Sequence, residues 1–133
     1  MNYPQHLQYT RGHQWLSMEG SYAFMGITDF IQRKLGRIVL VTVPYLNKMV
    51  ESEKFVGSIE ATQTVLDLFM PVTGTIVEIN PDILKKPGLV NLDPYHTWLL
   101  KIRPAIEDNE KSLLTFDEYT AFIWQVNKTK KHG

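Results

Sequence analysis

The sequence of 133 residues contains no cysteine. This absence excludes disulfides, thiolate metal sites and thiol nucleophiles, so any redox group would have to be supplied by something bound or attached to the chain. An excess of either charge is also lacking, because Lys plus Arg and Asp plus Glu number 14 each. Because the chain carries no net positive charge, neither nucleic acid nor an anionic membrane is an expected partner.

Long apolar runs are missing as well. No segment approaches the ~20 apolar residues that a membrane span needs. The stretch MNYPQHLQYT at the N-terminus has neither the basic start nor the apolar centre of a signal peptide. We therefore expect a cytoplasmic protein that does not bind membranes, and a monomer.

Residue patterns for catalysis or metal binding are scarce too. The sequence has no GxxxxGK loop, no GxGxxG after a strand and no serine in a nucleophile-elbow context. Carboxylate pairs occur only in polar segments, where a carboxyl group of ordinary acidity gives no acid–base catalysis at neutral pH. The histidines lack the spacing of metal ligands; they are His6, His13, His96 and His132. We expect neither an enzyme nor a metal site.

What the sequence does contain is a series of short β-type runs separated by turn residues. Its length suits one domain with its own core. β-Branched and aromatic content predicts strands over 21–28, 37–43, 74–80 and 97–104. Capping residues predict a helix over 28–36. Acidic residues in a first turn, followed by apolar residues at helical spacing, predict a C-terminal helix over 115–126. We expect one mostly β domain over 1–126 and a basic, disordered tail over 127–133.

Four motifs in order along the chain resemble the H-protein family of the glycine cleavage system. YTRGHQWL (9–16) is similar to the family's Tyr-Thr-x-x-His-Glu-Trp, and GITDFIQRKLGRIVLVTVP (26–44) to its Gly-Ile-Thr-x-x-Ala-Gln-x-x-Leu-Gly segment. PVTGTIVEIN (71–80) resembles the Pro-Val-Ser-Gly strand, and LVNLDPYHTWLLKIRP (89–104) resembles the Leu-Val-Asn-x-x-Pro-Tyr segment. Four ordered motifs are far more specific than any one of them.

The resemblance implies a barrel-sandwich hybrid of the lipoyl and biotinyl domain type. In this fold two antiparallel sheets pack as a flattened sandwich, with short peripheral helices and a C-terminal helix. The implied function is that of a carrier, because H-proteins hold lipoate on one lysine at a hairpin tip. The implied partners are glycine decarboxylase (P-protein), aminomethyltransferase (T-protein), dihydrolipoyl dehydrogenase and lipoate ligase. A tethered arm would meet each docked partner at an effective concentration of order ~mM.

Gln63 occupies the position of the lipoyl-lysine. The family's hairpin, with its lysine in Val-Glu-Ser-Val-Lys-Ala-Val, aligns without a gap on IEATQTVLDLFMPVTG (59–74). Lipoylation needs an amine, and a carboxamide nitrogen is not a nucleophile. We therefore expect no cofactor as the sequence stands, although the family carries lipoate. Turn rules alone predict no tip here, and Ile59, Gln63, Leu66 and Met70 also fit a helical period.

Further departures concern residues near the implied arm. Gln14 replaces a glutamate that in the family meets the cationic end of the loaded arm, so a charge-assisted hydrogen bond is given up. Arg37 stands where Asp is usual, and the loop PYHTW (94–98) lacks the family's glycines. The candidates for the arm cleft or a docking surface are Gln14, His13, Trp15, Glu60 and Asp67. For His13 and Trp15, packing in the core or in a cleft wall is favoured over site chemistry.

Two functions remain open at this point. One is an H-protein homologue without its arm, acting as a docking scaffold or regulator, in which Gln63 either takes part in docking or is an exposed turn residue. The other is a genuine carrier whose lysine was replaced by engineering or whose attachment lies elsewhere. Lys54 is then the nearest amine in the hairpin, although it precedes the strand instead of capping the tip.

Overall fold

The computed structural model describes residues 6–105 and 113–132. A six-stranded antiparallel sheet has the order β1-β2-β3-β9-β8-β5, and a three-stranded antiparallel sheet has the order β4-β6-β7. The strands are β1 (Gln8–Tyr9), β2 (Gln14–Glu19), β3 (Tyr22–Ile27), β4 (Ile38–Thr42), β5 (Met49–Val50), β6 (Phe55–Ala61), β7 (Val65–Phe69), β8 (Gly74–Ile79) and β9 (Leu100–Pro104). The helices are α1 (Asp29–Leu35), α2 (Pro81–Lys85), α3 (Leu89–Leu92) and α4 (Phe116–His132).

The elements with the strongest local signals are confirmed. Helix α1 lies where the sequence predicts it, with the Thr28 hydroxyl accepting a hydrogen bond from the Ile31 N–H and Gly36 ending the helix at a φ of 78°. Strands β3, β4, β8 and β9 match the four predicted strands to within a few residues. In β9, Ile102 is buried and Arg103 is exposed, and Leu99 is buried just before the strand begins.

Two apolar clusters hold the elements together. The first lies between the two sheets and combines side chains such as Met25, Ile59 and Ile102. The second lies on the outer face of the large sheet, where α4 packs on Tyr9 and Trp15. The predicted flattened sandwich of two antiparallel sheets, with short helices and a C-terminal helix, is thus confirmed.

Helix α4 continues further than the sequence predicts. It spans Phe116–His132, whereas the apolar face of the predicted helix stops at Val126. Residues 127–132 are therefore helical in the structure, where the sequence predicts a disordered tail. The division into a domain over 1–126 and a tail over 127–133 stays a prediction.

Candidate functional site

The candidate site is the tip of the hairpin formed by β6 and β7. Residues Thr62, Gln63 and Thr64 connect the two strands, and the Ala61 N–H donates to the Thr64 carbonyl over 3.0 Å. The Gln63 side chain is exposed at this apex. The helical period noted for this segment is therefore not realised, because the residues on both sides of Gln63 form paired strands.

The tip is held by the connection between α1 and β4. The Gln63 N–H donates to the Leu35 carbonyl over 2.9 Å, and the Thr62 N–H donates to the Arg37 carbonyl over 3.0 Å. In return the Arg37 N–H donates to the Thr62 hydroxyl over 3.1 Å. The backbone of the apex is thus fixed while its side chain remains free to meet another molecule.

Gly36 makes this close approach possible. Its φ of 78° lies in the region that side chains disfavour. A Cβ at this position would lie 2.5 Å from the Thr62 hydroxyl oxygen and 2.9 Å from Cγ of Gln63. A glycine is therefore required both by the backbone angle and by the space between helix and tip.

The apex offers a carboxamide and no amine. Residues 58–66 contain no lysine. Lys54 precedes β6, and its carbonyl accepts a hydrogen bond from the Met70 N–H at the opposite end of the hairpin. Because a strand advances about 3.3 Å per residue, the seven residues of β6 place Lys54 roughly 20 Å from the apex. The residues present at the tip do not fit covalent attachment of lipoate.

Glu60 and Asp67 share the outer face of the small sheet. Glu60 pairs with Val65 and Ser58 pairs with Asp67, so the two carboxylates lie on neighbouring rows of one face. Both side chains are exposed. Apolar side chains are exposed on the three strands of this sheet; they are Val39, Leu40, Phe55, Val65 and Phe69. The tip is thus flanked by a surface that is acidic and apolar together.

Gln14 lies fully buried at the start of β2 and bridges the two sheets. Its Oε1 accepts from the Phe69 N–H over 3.0 Å, and its Nε2 donates to the Phe69 carbonyl over 2.6 Å. Nε2 also lies 3.0 Å from the Met25 sulfur. Both ends of the carboxamide are therefore occupied by the backbone of β7.

A cleft of about 240 Å³ lies beside this contact. Its lining residues are Thr10, Arg11, Gly12, Gln14, Glu53, Phe69, Met70 and Pro71. Gln14 lies in the wall of this cleft with its amide turned to the backbone N–H and carbonyl of Phe69. Its predicted role in an arm cleft stays a prediction. Phe69 is six residues from Gln63, which is about 20 Å along a strand.

His13 and Trp15 are not among the lining residues of this cleft. Trp15 points to the opposite face of β2, because successive side chains of a strand alternate, and its Nε1 donates to the Pro94 carbonyl over 2.9 Å. His13 has a φ of 64°, and its Nδ1 lies 3.0 Å from the Tyr119 hydroxyl. Burial, reinforced by the positive charge of Lys34, lowers the pKa of His13 to about 4. Both residues belong to the packing between the large sheet and its helices.

Three contacts at the site have no clear signal in the sequence. They are the Thr62–Arg37 pair, the Phe69 peptide that receives Gln14, and the Asn91 side chain. The Asn91 amide donates to the Gly36 carbonyl over 2.9 Å and its oxygen accepts from the Ile38 N–H over 2.9 Å. Only Gly36, a glycine between a helix and a strand, could have indicated a close approach here.

Within residues 6–105 and 113–132, no group of three or more His, Asp and Glu side chains is arranged to hold a metal ion. Within the same residues, every helix is too short or too polar to cross a bilayer.

Comparison with known proteins gives a consistent result. Residues 7–126 match the family model described as glycine cleavage H-protein. The chain is 43% identical over 124 residues to a glycine cleavage system H protein of Bacteroides fragilis, covering 92% of this chain and 98% of that protein. A second such protein, from Bacteroides thetaiotaomicron, is 42% identical over the same shares. The crystal structure of a glycine cleavage system H protein from Mycobacterium marinum superposes with a TM-score of 0.78 at 32% identity, covering 90% and 97% of the two chains.

These matches extend through both sheets, the hairpin and most of helix α4, and they agree with the four sequence motifs and with the two-sheet architecture. The chain belongs to the glycine cleavage H-protein family.

Proposed function

We propose that this chain is an H-protein without a lipoyl arm, which acts as a docking scaffold or regulator of the proteins that H-proteins meet. The observation that carries the proposal is the exposed carboxamide of Gln63 at a hairpin apex whose backbone is held by the α1–β4 connection. A ligase that acylates an amine finds none at this position. The cytoplasm is the compartment in which we place this function.

The proposal builds on the properties of the H-protein family. H-proteins serve glycine catabolism, carry lipoate and have no catalytic activity of their own, so this chain is not an enzyme. The family interacts with the P-, T- and L-proteins of the glycine cleavage system. Our proposal for this chain is that it retains docking to one or more of these proteins, or to lipoate ligase, through the surface that carries Glu60 and Asp67.

The properties of that surface support docking. Val65 is 56% exposed and Leu40 is 48% exposed, in the same face as the two carboxylates. Exposed apolar side chains beside charged ones are typical of contact surfaces between proteins. Gln63 extends from the end of this face and can donate and accept hydrogen bonds in a complex. The alternative, a carrier that attaches lipoate to Lys54, is disfavoured by the position of Lys54 at the open end of the hairpin.

A lipoylation assay tests the proposal. The unaltered chain should incorporate no labelled lipoate with a competent ligase, whereas Gln63→Lys should be acylated because the fixed apex then presents an amine. Thr64→Lys is the matched control, since it adds the same charge one residue away, and it should be acylated far less. Incorporation into the unaltered chain, or a mass increase of one lipoyl group on protein from its native host, would overturn the arm-less assignment.

A binding assay tests the docking part separately. Surface-immobilised chain should retain the glycine cleavage P- or T-protein. The double variant Glu60→Gln with Asp67→Asn should weaken this retention by about tenfold, because two rim charges are lost. Glu78→Gln changes an exposed charge of the other sheet and serves as the control. Equal retention by all three chains, or none, would argue against docking through this surface.

A further inference from the structure

A second groove, of about 390 Å³, lies on the outer face of the six-stranded sheet. None of its lining residues belongs to the β6–β7 hairpin or to the Gln14 cleft. Aromatic rings dominate its walls, together with one carboxylate, that of Glu19. The main lining residues are Trp15, Ser17, Glu19, Phe24, Tyr95 and Trp98.

The aromatic walls are held in fixed positions. The Trp15 indole donates to the Pro94 carbonyl over 2.9 Å, and the Tyr95 hydroxyl accepts from the Asp29 N–H over 3.2 Å. Phe24 and Trp98 meet edge to face, with ring centroids 5.2 Å apart. Because these rings need no rearrangement to receive a ligand, little ordering cost would oppose binding.

The charge of the groove favours a cation. Glu19 is exposed at the end of β2 and has no ion-pair partner among the described residues. Lys101 does not line the groove, but its Nζ lies 4.3 Å from the Tyr22 ring centroid and 5.8 Å from that of Phe24, so its positive charge opposes a second cation at the Phe24 ring. The attraction of the groove for a cation therefore comes chiefly from the Glu19 carboxylate. Ring faces attract positive charge through their quadrupole. His6 and His96 also line the groove, and His96 is hydrogen-bonded to Asp93 over 2.9 Å.

We propose that this groove binds a small alkylated ammonium compound, with its methyl groups against the Phe24 and Trp98 rings and its charge facing Glu19. A fully alkylated cation fits better than a primary ammonium group, which carries three N–H donors that need acceptors. The Tyr95 hydroxyl and the Trp15 indole are already engaged within the protein. The proposal does not depend on the role assigned to Gln63.

The test uses the full chain labelled with ¹⁵N and titrated with choline or tetramethylammonium. The indole N–H signals of Trp15 and Trp98 should shift with increasing ligand until they reach a plateau. The indole signal of the exposed Trp124 on α4 is the internal reference and should not shift. The neutral carbon analogue of choline, 3,3-dimethylbutan-1-ol, should bind about tenfold more weakly, because the attraction of rings and carboxylate for charge is lost. Equal binding of the neutral analogue, or shifts that do not saturate, would overturn the proposal.

Variants locate the site. Glu19→Gln and Phe24→Leu should each weaken choline binding by about five- to tenfold, because one removes the opposing charge and the other a ring. Glu51→Gln, an exposed glutamate outside the groove, should bind as the unaltered chain does. The amide spectrum of each variant shows whether it is folded, and Trp98→Leu replaces Phe24→Leu if that variant is not. Unchanged affinity in both the charge variant and a folded ring variant would refute the assignment.

Discussion

Gln14 forms two hydrogen bonds with the backbone N–H and carbonyl of Phe69, which a neighbouring strand would otherwise supply. The resemblance to the H-protein family implies a glutamate at position 14. The structure shows that the amide of Gln14 can both accept from and donate to the Phe69 backbone. A carboxylate has no donor, so it could accept from the Phe69 N–H but would face the Phe69 carbonyl with like charge. The identity of that partner could not be predicted, because alternation in β2 gives a side chain's face and not the peptide it meets.

Gln14→Glu should therefore lower stability by about 1–3 kcal/mol at pH 7, since it buries a charge and leaves a carbonyl without its donor. Burial raises the folded-state pKa of such a glutamate, so the loss should shrink as the pH falls and the protonated acid becomes able to donate to Phe69. Urea unfolding at pH 7 and pH 5 measures the change. Gln125→Glu, on the exposed side of α4, is the control, and equal effects of both substitutions would contradict the bridging role.

His13 should make the protein less stable in mild acid. Its folded pKa is lowered from 6.5 to about 4, chiefly by burial. Between these values only the unfolded chain binds the proton, so this contribution is present above pH 6.5 and is lost as the pH falls to about 4. At 1.36 kcal/mol per pKa unit, discounted for the partial exposure of the ring, the loss is about 2 kcal/mol.

The measurement compares denaturant midpoints at pH 7 and pH 4.5 for the unaltered chain and His13→Asn. Asparagine tolerates the positive φ found at this position. The variant should be less stable at pH 7 but less sensitive to pH. The control is His96→Asn, which replaces an exposed histidine and should retain the pH dependence of the unaltered chain. If the stability of His13→Asn falls with pH as steeply as that of the unaltered chain, His13 is not the origin of the pH dependence.

At the scale of elements, strands and helices with dense local signals could be predicted, whereas the tip of the β6–β7 hairpin was indicated only by the resemblance to the H-protein family. Residues 61–65 contain none of the usual turn residues. The turn is specified instead by hydrogen bonds to Leu35 and Arg37, which lie more than 20 residues away in the sequence. Strands β1 and β5 and helices α2 and α3 were also missed, because two to five residues are too short to show a period. Strand β2 was missed because its buried residues Gln14, Trp15 and Leu16 are consecutive and do not alternate with exposed ones.

Gly36→Ala should disturb the hairpin tip more than the rest of the fold. The added methyl group would collide with Thr62 and Gln63, and φ is positive at this position. A cost of about 1–3 kcal/mol is expected from such strain. Amide hydrogen exchange should speed up at Thr62 and Gln63, whose N–H groups bond to this connection. The control is Gly88→Ala, because a Cβ at that position meets nothing within 4 Å, and it should leave the exchange at the tip unchanged. Accelerated exchange in both variants would contradict a specific contact between Gly36 and the tip.

At the scale of the whole molecule, composition, pattern and resemblance were sufficient for the two-sheet sandwich. In the described residues every buried side-chain nitrogen or oxygen has a hydrogen-bond partner, including those of buried Gln14, Thr28 and Asn80. The sequence favours packing for His13 and Trp15, but it does not show which elements cover them. The ring of His13 meets Tyr119 and Phe122 of α4, which arrives from the far end of the chain, whereas the Trp15 indole is bonded to the Pro94 carbonyl.

Core burial alone should therefore hold the fold, without any metal or attached cofactor. We expect one cooperative thermal transition whose midpoint is the same with and without chelator and with and without free lipoate. Circular dichroism at fixed protein concentration measures the midpoint, and the Gln63→Lys variant before and after acylation provides the matched pair. A chelator-induced fall of the midpoint would contradict this expectation.

The pairing of Tyr9 with Leu114 also governs the order in which the chain can fold. Each of these residues donates its N–H to the carbonyl of the other, over 2.8 Å and 2.6 Å. The rings of Tyr9 and His13 meet Tyr119 and Phe122 of α4, so they gain this cover only when α4 has packed on them. Closing so long a loop is entropically costly, and contacts of large sequence separation form late. During synthesis the aromatic side chains of the first strands must therefore remain uncovered until the segment beyond Leu114 has left the ribosome, which makes the nascent chain most vulnerable to misassociation in that interval.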